Sequence, residues 1–367
     1  MKKKNIISTA VFALVLLGMS LACWLSPAQA TSFSERRPLA QLPDISAESI
    51  FGGEFMSGFE EYAADQFPYR DTFRTFKALF AYNVLQKLDN NGLIFADGHL
   101  SKLEYPVNPG MTENAAEKFG YLYESFIKDK NASVYLSLVP DKNFFLGREN
   151  GYLTIDYEKF AADFAKKLPF MEYIDIFSQL SLEDYYRTDS HWKQEKIPHI
   201  AEYLSNAMGT EINADYTEKL ISSDFYGVYA GQSALPVKPD ELRILTNPAI
   251  ENMIVTYYND MGKAETGDMY VMEKAEGKDP YEMFLGGTKW LVTLENPSAE
   301  TDKELVIFRD SFGSSIAPLL AQGYKKVWVV DIRYIQSGFV GNFVKFDNKD
   351  VLFLYSTTLI NNSTALK

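Results

Sequence analysis

Two short segments carry residue types that can do acyl chemistry together. The first is Thr188-Asp189-Ser190-His191-Trp192. An Asp and a His two apart in extended chain project to the same side. The carboxylate can then hold one imidazole nitrogen, fix the tautomer and leave the other nitrogen as a base. Alone, the pair reads sooner as a helix-capping Asp189 beside a satisfied His191. The second segment runs from Leu305 through Arg309-Asp310-Ser311-Phe312-Gly313 to Ser315. It is an apolar strand entering a sharp turn and then a helix, which places Ser311 at the carboxyl edge of a sheet, where open α/β folds build sites. The backbone N–H of Ser311 and of a following residue, Gly313, backed by the helix dipole, can receive an oxyanion. The plainer alternative is that Asp310 and Ser311 only cap the helix. Arg309 occupies the first glycine position of a Gly-x-Ser-x-Gly elbow, so that motif is absent. Read together, Ser311, His191 and Asp189 make a nucleophile, a base and an orienting group, and the long separation in sequence is no obstacle to their meeting.

Scarcity narrows the alternatives. The chain has three histidines, His99, His191 and His199, and one cysteine, Cys23. His199 falls in an amphipathic helical stretch and reads as packing; His99 lies beside a hairpin turn and is expected at the surface. Cys23 sits in the first apolar run, so a processed chain would contain no thiol for a disulfide, a zinc site or a nucleophile. No metal and no cofactor is expected.

These segments need a scaffold that brings them together. The 367 residues are 46% hydrophobic and 23% charged, an ordinary globular composition that excludes wholesale disorder and repeat arrays. The net charge of −13 becomes three units more negative once Lys2, Lys3 and Lys4 are removed, which speaks against nucleic acid as a partner. Those lysines, the apolar run Ile6–Leu25 and Ala28-Gln29-Ala30 have the three parts of a secretory signal, cut after Ala30. The run is also long enough to remain as an anchor, and Leu21-Ala22-Cys23 partly resembles a lipobox. All three readings put the body outside the cytoplasm. Residues 31–95 read as a helical lead-in packed on the main domain, with helices over Glu54–Asp65 and Arg70–Leu88. Phe73, Phe76, Phe80 and Val84 in the second make one buried face. A hairpin is expected over Leu93–Leu100. From about 96 to 360 short apolar strands alternate with helices, which predicts a mostly parallel sheet covered on both faces. The strands are Ser133–Val139, Glu172–Ile176, Glu304–Phe308, Lys326–Asp331 and Asp350–Tyr355; the helices include Glu195–Met208 and Ile335–Phe343. Residues 210–300, rich in Gly, Pro and Tyr, read as an irregular or β insertion leaving the sheet.

The residues also carry a family resemblance. Asp189-Ser190-His191-Trp192 resembles the Asp-Thr-His-Trp motif of the AlgJ/AlgX type of alginate O-acetylation protein and of the DHHW proteins. Arg309-Asp310-Ser311-Phe312 is similar to their nucleophile block, part of the wider SGNH-hydrolase pattern. Asp65-Gln66-Phe67-Pro68-Tyr69-Arg70, Val139-Pro140-Asp141-Lys142, Asp279-Pro280-Tyr281 with Phe284-Leu285-Gly286-Gly287, and Asp331-Ile332-Arg333-Tyr334 agree in order over roughly residues 36–357. Ser190 replaces the His or Thr of the family motifs.

The resemblance implies an SGNH-hydrolase-like three-layer α/β/α domain acting outside the cell on acyl groups of a polysaccharide. Ser311 would be acylated, His191 would shuttle the proton and Asp189 would orient it. Gly286-Gly287-Thr288 is the loop in which an oxyanion donor, Gly287, is sought; Thr288 stands where an amide side chain is expected. Arg333, just past a strand end, would clamp a carboxylate or sugar hydroxyls, or else pair with a nearby acid. Trp192 would wall the pocket. Three functions stay open: an O-acyltransferase acetylating a surface or secreted polysaccharide, with a membrane-bound O-acyltransferase as acetyl-supplying partner; an acetylesterase with the same residues; and a non-catalytic glycan-binding or envelope scaffold.

Overall fold

The apolar runs seen in the sequence become the middle of one sheet. The computed structural model describes residues 2–259 and 261–367. They divide into two units, residues up to Asn90 with Ala230–Pro236, and Asn91–Tyr229 with Val237–Lys367.

The first unit holds α1 (Lys2–Leu25), a small ladder of β1 (Thr31–Ser32) and β2 (Arg37–Pro38), α2 (Ala47–Gly52), α3 (Glu54–Asp65) and α4 (Arg70–Asn83). α4 departs from expectation twice. It stops at Asn83, and the chain turns through a left-handed Gln86, φ 50°, instead of continuing to Leu88. Its expected buried face is also outside: Phe73, Phe76, Phe80 and Val84 are exposed, while Ala78 and Ala81 are buried.

In the second unit β3 (Leu93–Ala96) and β4 (His99–Lys102) form the expected hairpin, followed by α5 (Pro109–Leu122), capped by Asn108. Then come β5 (Ser133–Val139), α6 (Asn143–Glu149), α7 (Tyr157–Lys166), β6 (Glu172–Tyr173), α8 (Pro198–Ala207) and the antiparallel pair β7 (Thr217–Phe225) and β8 (Asp240–Thr246). α9 (Val228–Ser233) lies at the boundary of the two units along the chain. After it follow α10 (Pro248–Glu251), β9 (Ile254–Tyr258), β10 (Ala264–Gly267), α11 (Met272–Ala275), β11 (Leu291–Glu295), β12 (Glu304–Arg309), α12 (Phe312–Leu320), β13 (Lys326–Val330), α13 (Val340–Phe343), β14 (Asp350–Ser356) and α14 (Thr357–Asn361).

Eight strands make the main sheet in the order β10-β9-β11-β13-β12-β14-β5-β6. From β13 to β6 all pairs are parallel; β11, β9 and β10 continue it antiparallel. β9, β10 and β11 are therefore not an excursion but one side of the sheet, while β7 and β8 do leave it. Residue alternation sends Leu305 and Ile307 into one core with Ile200 and Leu204 of α8 and Ile316 of α12. Val306 and Phe308 enter the other with Phe119 of α5 and Phe160 of α7. Burial on both faces explains why these strands read as unbroken apolar runs. Two expected helices are shorter than read: α8 starts at Pro198, a favoured first helical residue, and α13 keeps only Val340–Phe343.

Candidate active site

The turn after β12 is fixed by Asp310, not by Ser311. Asp310 is 2% exposed; its Oδ1 accepts the Phe312 N–H at 3.0 Å and its Oδ2 the Ser356 N–H at 2.8 Å. It thus caps α12 and ties the turn to the end of β14. Ser311 has helical dihedrals, φ −63° and ψ −22°, and its side chain caps nothing. Gly313 permits the tight packing: a Cβ there would stand 2.5 Å from Arg309 Cβ.

The Asp189–His191 loop comes to meet it. His191 Nε2 is 2.7 Å from Ser311 Oγ, and His191 Nδ1 is 2.5 Å from Asp189 Oδ1. Asp189 also accepts the His191 N–H at 3.1 Å and, on Oδ2, the Val228 N–H at 2.9 Å. Asp189 is 1% exposed and the His191 side chain 12%, so the base reaches solvent only at its edge.

The loop is held by residues that sequence reasoning missed. Three consecutive N–H groups grip it: Gly227 on Thr188 Oγ1 at 2.8 Å, Val228 on Asp189, and Tyr229 on the Thr188 carbonyl at 3.0 Å. Only glycine fits at 227, because a Cβ would lie 2.2 Å from Asp189 Cβ. Buried Asp240 accepts the N–H of Arg187 and of Thr188 and the Thr188 hydroxyl. Lys142, 1% exposed, donates to the carbonyls of Tyr186 at 2.8 Å and Arg187 at 3.2 Å. Burial pulls its ammonium pKa down to about 7, against the attraction of Asp189, Asp240 and Asp141. Tyr281 stacks face to face on His191, centroids 3.8 Å apart and 6° between planes, and its hydroxyl donates to Ser315 Oγ at 2.8 Å. Lys142 and Tyr281 belong to sequence blocks already singled out, but nothing local gave them a role; Gly227 and Asp240 had no signal at all.

Several expected positions are corrected. Trp192 is fully buried and donates Nε1 to Phe312 O at 3.1 Å and Ser315 Oγ at 2.9 Å. It joins the loop to α12 from beneath and walls no pocket, because its alternation partner His191 takes the open side. Arg333 turns its fork back onto Asp331, with Nε at 2.9 Å and Nη2 at 2.7 Å. Asp331 also pairs with the buried Arg309 at 3.3 Å. Of the expected oxyanion donors, Gly313 N–H bonds Asp310 O at 3.1 Å and Gly287 N–H bonds Phe284 O at 3.1 Å, so both are consumed in turns. The Ser311 N–H lies between β12 and α12, outside both ladders. His99 is 3% exposed, with Nδ1 on Asp97 O, and burial lowers its pKa; His199 is the exposed one, bonded to Gln179 O. Among the described residues no cluster of three His, Cys, Asp or Glu could hold a metal.

No protein-family model and no curated protein matches the chain. Solved structures are similar to it. A DHHW family protein from Eubacterium siraeum gives a TM-score of 0.60 at 22% identity, covering 76% of this chain and 94% of its own. Bacillus cereus PatB1 with a sulfonyl adduct gives 0.57 at 20%, covering 73% and 94%. The O-acetyltransferase domain of Pseudomonas putida AlgJ is a looser match, 0.42 at 13%, covering 74% and 92%. The first two show the shared fold.

Proposed function

We propose that this protein is an exported SGNH-like O-acyltransferase that acetylates a cell-surface or secreted polysaccharide through an acyl group carried on Ser311. The observation that carries the reading is the unbroken chain Asp189–His191–Ser311, at 2.5 and 2.7 Å. The shared fold with PatB1, which was solved with a sulfonyl adduct, supports it.

In the first half-reaction Ser311 Oγ attacks the carbonyl carbon of an acetyl donor while its proton passes to His191 Nε2. The oxyanion takes the Ser311 N–H at the start of α12, where the helix dipole favours negative charge. Collapse breaks the bond to the leaving group, which receives the proton from His191. In the second half a sugar hydroxyl loses its proton to His191 and attacks the acetyl carbon, and Ser311 leaves with the proton returned. Water in place of the sugar gives the esterase. A membrane-bound O-acyltransferase is the partner expected to supply the acetyl group.

The test uses the purified protein with an activated aryl acetate. Peptide mass spectrometry should find acetyl on Ser311, and the adduct should disappear in His191→Ala. Adding candidate glycans then separates the readings: acetylated glycan means transfer, free acetate alone means hydrolysis. A folded protein with no adduct would leave the glycan-binding scaffold.

A further inference from the structure

The first unit is inside out. Arg70 and Arg74 of α4 are turned inward toward Glu35 while Phe73, Phe76 and Phe80 point outward, with Asp71 and Lys77 also exposed on the helix. Arg70 pairs with Glu35, Arg37 holds Asp65 through two bonds of 2.8 and 2.6 Å, and Arg74 reaches Glu35 at 3.4 Å and the Gly231 carbonyl at 2.7 Å. The side chains of Glu35 and Arg74 are only 14% and 16% exposed. Phe73, Phe76 and Phe80 on the same helix are 51%, 66% and 54% exposed. Water would favour the reverse arrangement, and a contiguous exposed apolar face marks an interaction surface.

The position of α1 says what covers it. Its 24 residues make a helix roughly 36 Å long whose apolar 18-residue window has a mean hydropathy of 2.4 and is unburied, enough to cross a hydrocarbon core of about 30 Å. Lys2, Lys3 and Lys4 stand at one end and Trp24, 87% exposed, at the other, the order of a span with its amino end inside and an aromatic at the outer interface. Just past it, Gln29 is clamped at both backbone groups by Gln66: its N–H donates to Oε1 at 2.8 Å and its C=O accepts from Nε2 at 2.9 Å. Gln29 comes four residues after Leu25, a reach of at most about 14 Å. The corner between α3 and α4 is therefore held close to the end of α1. A cavity of about 510 Å³ lined by Ala22, Ser26, Phe67 and Tyr69 places that corner directly beside the end of α1.

We infer that α1 stays in the chain as a membrane span and that the Phe73/Phe76/Phe80 face of α4 lies in the outer leaflet, so that the partner of this surface is the lipid bilayer. Amphipathic helices in this setting bury their apolar side at the headgroup–acyl boundary.

The test places the full-length protein, in a Cys23→Ser background, in phosphatidylcholine vesicles. Single cysteines replace Phe76, Phe80 or, as control, the exposed Leu153 of the second unit, and each carries an environment-sensitive fluorophore. Doxyl-labelled lipid should quench positions 76 and 80 several-fold more than position 153, with iodide showing the opposite order. Lipid quenching no greater than at position 153 would overturn the inference, whether the label is open to iodide or shielded from both quenchers by protein. Ser311 adduct formation, measured on the same samples, reports on the proposed chemistry separately, because the quenching does not involve that residue.

Discussion

The two halves of the candidate site are built by different means. The Ser311 half is largely local: an apolar strand, one aspartate and a helix start place the hydroxyl, tied at longer range by the Ser356 N–H on Asp310 and by the Trp192 indole on Phe312 O and Ser315 Oγ. The His191 half has almost no structure of its own. Residues 185–192 close with one bridge, Tyr185 to Trp192, and the Tyr186 N–H on the His191 carbonyl; most of the other support is imported from Gly227–Tyr229, Asp240, Lys142, Tyr281 and α12. A nucleophile set by secondary structure tolerates change around it, whereas a base hung on hydrogen bonds from distant segments can be displaced without touching the base.

The contrast breaks first at Gly227. Gly227→Ala drives a methyl into Asp189 and should cost roughly 100-fold in aryl acetate turnover, the usual effect of an ångström-scale misplacement. Turnover within twofold of wild type would mean that the loop is not held from that side. Asp240→Ala comes next. It strands two backbone N–H groups and a hydroxyl and should lower stability by about 3 kcal/mol in urea unfolding, with activity falling alongside. A variant that loses stability but keeps its pH–rate profile and KM would make Asp240 structural only.

Lys142→Met is a smaller, pH-dependent change. The folded lysine gives up its proton at about 7 and the unfolded one at the usual 10.5, so between these values the unfolded state holds more protons and stability rises with pH. The variant lacks that rise, and wild type should gain on it between pH 7 and 10; a constant difference would show the ammonium to be unperturbed. Smallest is Trp192→Phe, which removes the indole donor to Phe312 O and Ser315 Oγ and should cost on the order of 1 kcal/mol. A melting temperature unchanged by this substitution would detach the loop from α12.

The same contrast explains what was readable in the sequence. β5, β12, β13 and β14 declared themselves because burial on both faces writes an apolar run into each. β10, Ala264-Glu265-Thr266-Gly267, carries no such run, since an exposed edge strand has little apolar surface to hide. Ser311, His191 and Asp189 stood out by residue type and turn chemistry. Gly227, Asp240 and Tyr281 act across 38 to 90 positions of sequence, through backbone donors and one ring face, and no local pattern encodes such pairing. The α4 phenylalanines were misread because 3/4 spacing reports an apolar face without saying what lies against it.

The stacking of Tyr281 on His191 has a further effect. With a phenol ring parallel to it at 3.8 Å and Asp189 on its far nitrogen, the imidazole is held against swinging or turning over, which in the proposed reaction would apply to both half-reactions. One nitrogen must therefore serve both, from one place. In the proposed reaction the leaving donor and the arriving acceptor would use the same doorway in turn, and whichever hydroxyl filled it first, sugar or water, would receive the acyl group.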